Sequence, residues 1–575
     1  MDTVCIAIAS MNLVVCTILL IHATHASEIY WFGNWFPRGS VVLGIAFVID
    51  PVAAVLATTI AFLFLLTFIF SWRFVDPGGK HFHPLMLVFL ASMSGFVLSG
   101  DLFNLFVFFE LMSTAAFALC GLKTEEPAPL QGAFNFAITN TVAAFMEVTG
   151  IALLYAVTGA LNMAQIGLAL GHRHDPLVIF AFTLLTCGFL VKAAIVPFHF
   201  WLPDAHSVAP TPVCVIFSGL MVELGLYAVV RLHVVIFQQS LSFHVPALRA
   251  ILLSLAVLTV LVGGIMSYAE HHLKRILAFS TICHMGLMLA AYAVQGAAAI
   301  AAMFTYMLAH ALIKAALFFV AGIILHRLRS MSEQNIFTRG RPLHWTAALW
   351  FLGGLALAAA PPFSLLLGES SAHLAASQAG IPGLSILFII GGGLTAAAVF
   401  RVGMHTFLGW GNKPLTDVSA HVDEMPETHE ENNIIFPYQF CPPALCLIGA
   451  AMLTFAPHFL AWIAAASARM YFQPGYLHLV YTGISIQPPS PVVPTHADLF
   501  AAGARGLLAA GLAFGLAATS VFRLRLPRRL RVGAWIEGRD LGLRKLQSGH
   551  PGDYVLWLTV GVAAFGSAAM LLLRP

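Results

Sequence analysis

The chain has 575 residues, 59% of them hydrophobic and only 9% charged, with a mean hydropathy of +0.89. Ordinary soluble domains carry about 25% charged residues, so this composition excludes one and identifies an integral membrane protein. A net charge of +3 over such a length gives no support to a nucleic-acid partner.

Apolar stretches of about 18 or more residues read as membrane spans. In chain order they fall near 3–22, 42–72, 83–99, 101–121, 131–157, 176–197, 211–237, 247–269, 275–296, 298–326, 343–368, 380–410, 435–463, 497–522 and 552–572. This predicts an all-α polytopic membrane protein of about fifteen helices, since backbone donors and acceptors in hydrocarbon need internal partners and nothing alternates like barrel strands. The first run, Val4 to Ile21, has no basic segment ahead of it, which favours a transmembrane helix over a signal peptide. Eight cysteines show no C-x-x-C pair and mostly lie in apolar runs, so they read as small buried hydrophobes, with no metal or iron–sulfur site expected.

Two spans are interrupted by proline. Lys192 is followed by Ala-Ala-Ile-Val and Pro197, and Ala360-Pro361-Pro362 precedes Glu369. Proline removes a donor and frees carbonyls, so both helices are expected to break at membrane depth, where such breaks line ion sites in transporters. A kinked packing helix is the plainer reading. Further on, the acidic stretch Asp417–Glu431 reads as a solvated loop, and residues 463–497 read as an exposed connection. The segment Arg523–Lys545 holds eight of the 28 Lys and Arg residues and is expected to face the cytoplasm.

Ionisable residues inside or at the ends of the spans carry the functional signal. They are Glu110, Glu147, Lys192, Glu223, Lys314 with His310 one turn earlier, and Glu369. A charge at mid-bilayer costs about 2.5 to 3.5 kcal/mol even on the mildest scale. Pairing that pins helices together explains any one of them. Apolar packing would hold helices without that cost, so the set points instead to ion movement. Desolvation moves buried lysines and glutamates towards physiological pH, where they exchange protons, and a glutamate near a lysine opposes that shift. His310 and Lys314 share one helical face and form two steps of a possible relay. Lys192 to Glu223 and Glu369 to Arg401 are similarly spaced, each running from a broken helix to an ionisable residue in the next span. This is a thin sign of repetition.

The motifs GDLFNLFVFFELMS, GFLVKAAIVPFHFWLPDAHSVAPTPV, HHLKRILAFSTICHMG, HALIKAALFFVAG and APPFSLLLGES, in this order, resemble the proton-conducting antiporter-like membrane subunits. That family includes the D-type and part of the A-type subunits of Mrp-type sodium/proton antiporters, and the large membrane subunits of respiratory complex I and membrane-bound hydrogenases. The resemblance covers roughly residues 28–465 and implies two inverted five-helix repeats with two discontinuous helices. We therefore divide the chain into N-terminal helices (1–100), a first repeat (101–237), a second repeat (247–411) and C-terminal helices with a basic loop (412–575). By motif, Glu110 matches the family's modulating glutamate, Lys192 the first-half lysine, His310 and Lys314 the central pair, and Glu369 the terminal group. His206 and Asp204 lie in a loop placed near the first channel, and Asp204 reads equally well as an interfacial cap. Glu223 stands where most members carry lysine, leaving it as a carboxylate carrier or a counter-ion for Lys192. Glu147 matches no family motif.

The resemblance implies a proton-translocating subunit, with sodium exchange as a further expectation, or a proton-pumping subunit of an NADH:quinone oxidoreductase or hydrogenase. Its partners would be other membrane subunits in the lipid bilayer of a bacterial cytoplasmic membrane. No Rossmann fingerprint, P-loop or cluster-ligand spacing is present, so no cofactor is expected in this chain and any redox chemistry lies elsewhere.

Overall fold

The computed structural model describes residues 1–72, 81–173, 175–413, 427, 437–456, 458–489, 491–523 and 546–573. In chain order the helices are α1 (Asp2–His25), α2 (Pro51–Phe70), α3 (Phe82–Leu98), α4 (Leu102–Cys120), α5 (Pro127–Thr158), α6 (Met163–Leu170), α7 (Pro176–Lys192), α8 (Trp201–Val208), α9 (Thr211–Ile216) and α10 (Val222–Leu232). They continue as α11 (Val245–Ala269), α12 (Leu273–Ala293), α13 (Ala297–Leu328), α14 (His344–Leu357), α15 (Leu365–Gln378), α16 (Leu384–Gly403), α17 (Pro437–Phe455), α18 (Phe459–Tyr471), α19 (Gln473–Thr482), α20 (His496–Val521) and α21 (Pro551–Leu572). A π-helical turn, Phe217–Met221, joins α9 to α10, so that Thr211–Phe237 is one continuous rod.

Among the described residues, twelve helices are long and apolar enough to cross a membrane, and α3, α7 and α14 are shorter apolar ones. Burial separates them by depth in the bundle. The apolar windows of the 211–237 rod, α12 and α13 are 100% buried, whereas that of α1 is 17% buried. A helix buried on all sides is apolar all round, so these three form the core and α1 faces outward.

Several expectations need correction. The run at 42–72 does not begin as helix: Glu28–Trp31 and Ala46–Ile49 pair as antiparallel strands, with Glu28 opposite Ile49, and α2 starts only at Pro51 under an Asp50 cap. Residues 463–497 are not simply an exposed connection. α18 and α19 occupy 459–482, and Ser467, Gln473, Tyr476 and Val480 are buried. Within the acidic stretch, Glu427 is buried rather than solvated, and its carboxylate accepts from Thr211 N (2.6 Å) and Oγ1 (2.7 Å) and from Lys274 Nζ (3.2 Å). The rest of Asp417–Glu431, and the basic segment beyond Arg523, lie outside the described residues.

Both proline interruptions are breaks with the same local construction. After α7, Ala194 has φ +50°, Ala194 N–H donates to Val191 O, Ile195 N–H to Leu190 O and Phe198 N–H to Ile195 O, with a cis Val196-Pro197 bond. After α14, Ala359 has φ +56°, and Ala359, Ala360 and Phe363 donate to Ala356, Leu355 and Ala360, with a cis Pro361-Pro362 bond. The freed groups find partners, as buried backbone must. Trp201 Nε1 donates to Val191 O (2.8 Å), Val196 N to Thr259 Oγ1 (3.1 Å), and Ser364 N to Ala450 O (3.0 Å).

The parallel extends beyond the breaks. α5 and α13 each have 32 residues and end on a left-handed residue, Gly159 and Arg329. Isolated bridges then tie Asp101 to Asn162 and His272 to Ser332. Arg231 near the end of α10 and Arg401 near the end of α16 are both fully buried, and each is followed by a π-helical turn. Arg231 pairs with Asp50. Arg401 donates to Glu333 (Nη2 to Oε2, 2.9 Å) and to the carbonyls of Tyr268 and Glu270, while His405 Nδ1 and His271 Nδ1 lie 2.6 and 2.9 Å from the same carboxylate.

Each break is also crossed by a late helix at a glycine. A Cβ on Gly506 of α20 would stand 2.1 Å from Ala359 O, and one on Gly561 of α21 would stand 2.5 Å from Phe198 Cε1 and 2.6 Å from Pro197 Cγ. Gly506→Val is therefore expected to lower the melting temperature of the detergent-solubilised protein by several degrees. Gly511→Ala, where a Cβ meets nothing within 4 Å, should not. Equal melting of the two variants would remove this close approach as a stabilising contact.

Candidate functional site

The first cluster forms where α4, α5 and α7 meet. Lys192 is the last residue of α7, so its ammonium sits at the carbonyl end of a helix, a favourable place for positive charge. Nζ donates to Ser113 Oγ at 2.9 Å and lies 5.0 and 5.5 Å from the ring centroids of Phe109 and Phe136. Aromatic faces stabilise a cation without neutralising it. Glu110 on α4 and Glu147 on α5 are its electrostatic neighbours, and neither makes an ion pair or hydrogen bond with it. Glu110 is half-buried, whereas Glu147 is fully buried.

The second cluster lies in the core. Glu223 Oε1 is 2.6 Å from His310 Nδ1, both groups fully buried. The His310 ring lies 5.0 Å from that of His284, whose Nδ1 is 2.8 Å from Tyr306 Oη and whose Nε2 is 3.1 Å from Thr395 Oγ1. Lys314, one turn beyond His310, donates to Leu277 O at 2.7 Å and to Ser280 Oγ. Its neighbours are neutral oxygens.

The third cluster follows the second break. Glu369 on α15 accepts from Arg505 Nε of α20 at 2.6 Å. α15 packs on α13 at the preceding residue, where a Cβ on Gly368 would stand 2.8 Å from Tyr306 N. This brings the Tyr306 end of the core chain beside Glu369. In the equivalent helix after the first break, Asp204 accepts from Tyr554 Oη (2.6 Å), Asn135 Nδ2 (3.1 Å), Arg275 Nη1 (3.2 Å) and Gln547 Nε2 (3.3 Å). It borders a cavity of 360 Å³ that Gln131, Asn135, His272 and Gly549 also line. Asp204 is thus the hub of a clamp rather than a helix cap. His206 stacks on Phe318 at 4.8 Å, fully buried, with neither ring nitrogen hydrogen-bonded.

The structure brings the residues singled out from the sequence into three groups: Glu110, Glu147 and Lys192; Glu223, His310 and Lys314; and Glu369 near Tyr306. No hydrogen bond among the described residues joins Lys192 to Glu223, whose partner is His310. Sequence reasoning missed His284, Tyr306 and Arg505. Arg505 had a signal, as the only charged residue between 499 and 522. His284 had none beyond being one histidine in an apolar helix. Arg401, suspected from its spacing to Glu369, is instead engaged by Glu333.

A family model described as NADH:quinone oxidoreductase/Mrp antiporter, TM, matches residues 99–395. The N-type subunit of the NADH-quinone oxidoreductase of Desulforudis audaxviator (strain MP104C) is 31% identical over 66% of this chain and 75% of its own length. The D-type subunit of the Na(+)/H(+) antiporter of Bacillus subtilis (strain 168) is 31% identical over 66% of this chain and 76% of its own length. A protein in the structure of the Mrp complex from Dietzia sp. DQ12-45-1b shares the fold with a TM-score of 0.72 at 24% identity, covering 83% of this chain and 94% of that one.

Proposed function

This chain belongs to the NADH:quinone oxidoreductase/Mrp antiporter transmembrane family, and from that premise we propose that it is a proton-translocating subunit of a multi-subunit Mrp-type antiporter. One contrast carries the reading. Of the three fully buried lysines among the described residues, Lys274 bonds a carboxylate, Glu427, whereas Lys192 and Lys314 have only neutral hydrogen-bond partners. A lysine kept to pin helices is best paired, because an unpaired buried charge is expensive. A lysine without a bonded carboxylate changes its proton occupancy more readily.

The path we propose runs from Glu110 and Lys192 through Glu223, His310 and Lys314 to Glu369, with His284 and Tyr306 as intermediate groups. Protons are its cargo, and sodium is the proposed exchanged ion. The two matching breaks, the equal lengths of α5 and α13, and the paired Arg231 and Arg401 support a reading of residues 101–237 and 247–411 as inverted repeats. A cytoplasmic membrane and neighbouring membrane subunits are the setting this reading implies.

A second reading, a proton-pumping subunit of a redox complex, is favoured by the equal identity to the NADH-quinone oxidoreductase relative. Purification of the native assembly separates the two. Co-purifying flavin and iron–sulfur subunits would mark the redox complex, and their absence the antiporter.

Glu223 tests the core of the path. Glu223→Gln keeps the side-chain shape but cannot exchange a proton, and transport is expected to fall by about tenfold or more. Transport unchanged in everted vesicles would remove Glu223 from the path. Glu223→Lys places an ammonium beside His310, so activity should fall there as well. Near-normal activity would show that either charge sign serves at this position.

A further inference from the structure

Glu147 is the one carboxylate near Lys192 that is sealed from outside. Its relative exposure is 0%, and no protein donor reaches either oxygen. It lies between α5 and α7, where a Cβ on Gly188 would stand 2.5 Å from its Cγ and 3.0 Å from its Oε1. Only glycine leaves that space, and Gly188 is one turn before Lys192 on the same helix. Asn140, two turns before Glu147 on α5, is also buried with its Oδ1 unbonded. Asn140 Nδ2 donates to Phe136 O at 3.1 Å, so only its oxygen shares the unbonded state of the Glu147 carboxylate.

A buried polar group held only for packing is normally satisfied, because leaving it unbonded costs free energy with no return in stability. No protein donor satisfies Glu147, so packing between helices does not account for it. Charge counting points the same way. Glu110, Glu147 and Lys192 are mutual electrostatic neighbours. If all three were ionised, the cluster would hold a net negative charge inside an apolar bundle. Moving the lysine proton to Glu147 leaves that total unchanged, but it replaces two adjoining buried charges by a neutral pair and leaves the remaining charge on the half-buried Glu110.

We infer that Glu147 is a second, sealed proton-holding residue of the Lys192 centre, taking up the proton that Lys192 releases. In that step an N–H bond of the ammonium breaks, the electron pair stays on Nζ, and an O–H bond forms on the Glu147 carboxylate. The oppositely charged pair becomes a neutral one. Glu110, half-buried, would then set the field on the lysine while Glu147 holds its proton. The inference rests on reading Lys192 as a proton carrier.

The test uses the full chain co-expressed with the other subunits of its assembly. Everted vesicles are energised, and the proton gradient is followed by the fluorescence of a permeant amine as Na+ is added. Glu147→Asp and Glu147→Gln are compared at equal assembly on native gels. Gln copies the shape but cannot carry the proton, whereas Asp is shorter but can. The inference expects Asp to retain more transport than Gln, with Gln lowered about tenfold or more. Gln retaining as much transport as Asp, or more, overturns it, including the case where both lie at background. Lys192→Ala is run alongside. Normal transport in that variant would sink the underlying path, whereas loss there with full transport in Glu147→Gln sinks this inference alone.

Discussion

Replacing Lys192 with alanine is expected to abolish ion transport while the protein still inserts and assembles. The lysine makes one hydrogen bond, to Ser113, and is stabilised otherwise by two rings and a helix end. Removing it relieves a buried charge rather than stranding a strong partner, so the structural penalty is small. The functional penalty is large, because positioned proton carriers contribute about a hundredfold or more. Everted vesicles containing Lys192→Ala should show gradient discharge at background with normal protein levels. Transport near the wild-type rate would remove this lysine, and the first half of the path, from the mechanism.

The second large effect is on stability. Glu333 is fully buried and accepts from Arg401, His271 and His405, tying the α11–α12 connection, the end of α16 and the connection after α13 together. Glu333→Gln would leave the Arg401 guanidinium without its counter-charge, and breaking a buried pair from one side costs about 3–5 kcal/mol. The detergent-solubilised variant should melt well below the wild type. The pH dependence has a definite sign. Burial pushes the Glu333 carboxyl up, but the Arg401 guanidinium and the bonds from the two histidines outweigh it and hold it well below the usual carboxylate range. A folded value below the unfolded one stabilises fully above the unfolded value and is lost as pH falls through the folded one. The melting gap between wild type and variant should therefore persist down to the ordinary glutamate value of 4.5 and narrow in stronger acid. A gap already closed near neutrality would contradict this arrangement.

How far the molecule could be read from its residues depended on whether the signal was local. Lys192, Lys314 and Glu369 stood out because a charge in an apolar run is conspicuous without any partner. Both breaks were legible because proline acts on its own helix. The partner of Glu223 was not, since His310 lies 87 positions away and either Lys192 or solvent would have fitted the same sequence. The strand pair at 28–49 was hidden by its shortness ahead of a long apolar helix. α19 was hidden because its Pro474, Gly475 and three tyrosine or histidine residues mimic a loop, although tertiary packing holds it in a helix. The likeness of the two breaks was thin in the spacing of charges and clearer in the backbone, because local construction can match where side chains differ. The position of Lys192 before the first break is occupied by Leu357 before the second.

The glycine crossings at the two breaks also bear on biogenesis. A ribosome delivers this chain from its N-terminus, and α7, α8, α14 and α15 are all made well before α20 and α21. Until those last helices enter the membrane, Ala359 and Pro197 lack the surfaces that close over them, and Glu369 and Asp204 lack Arg505 and Tyr554. Both crossing helices lie beyond residue 395, where the family match stops. The most interrupted segments of the family core therefore reach their final packing last, on a scaffold that the remainder of the chain supplies.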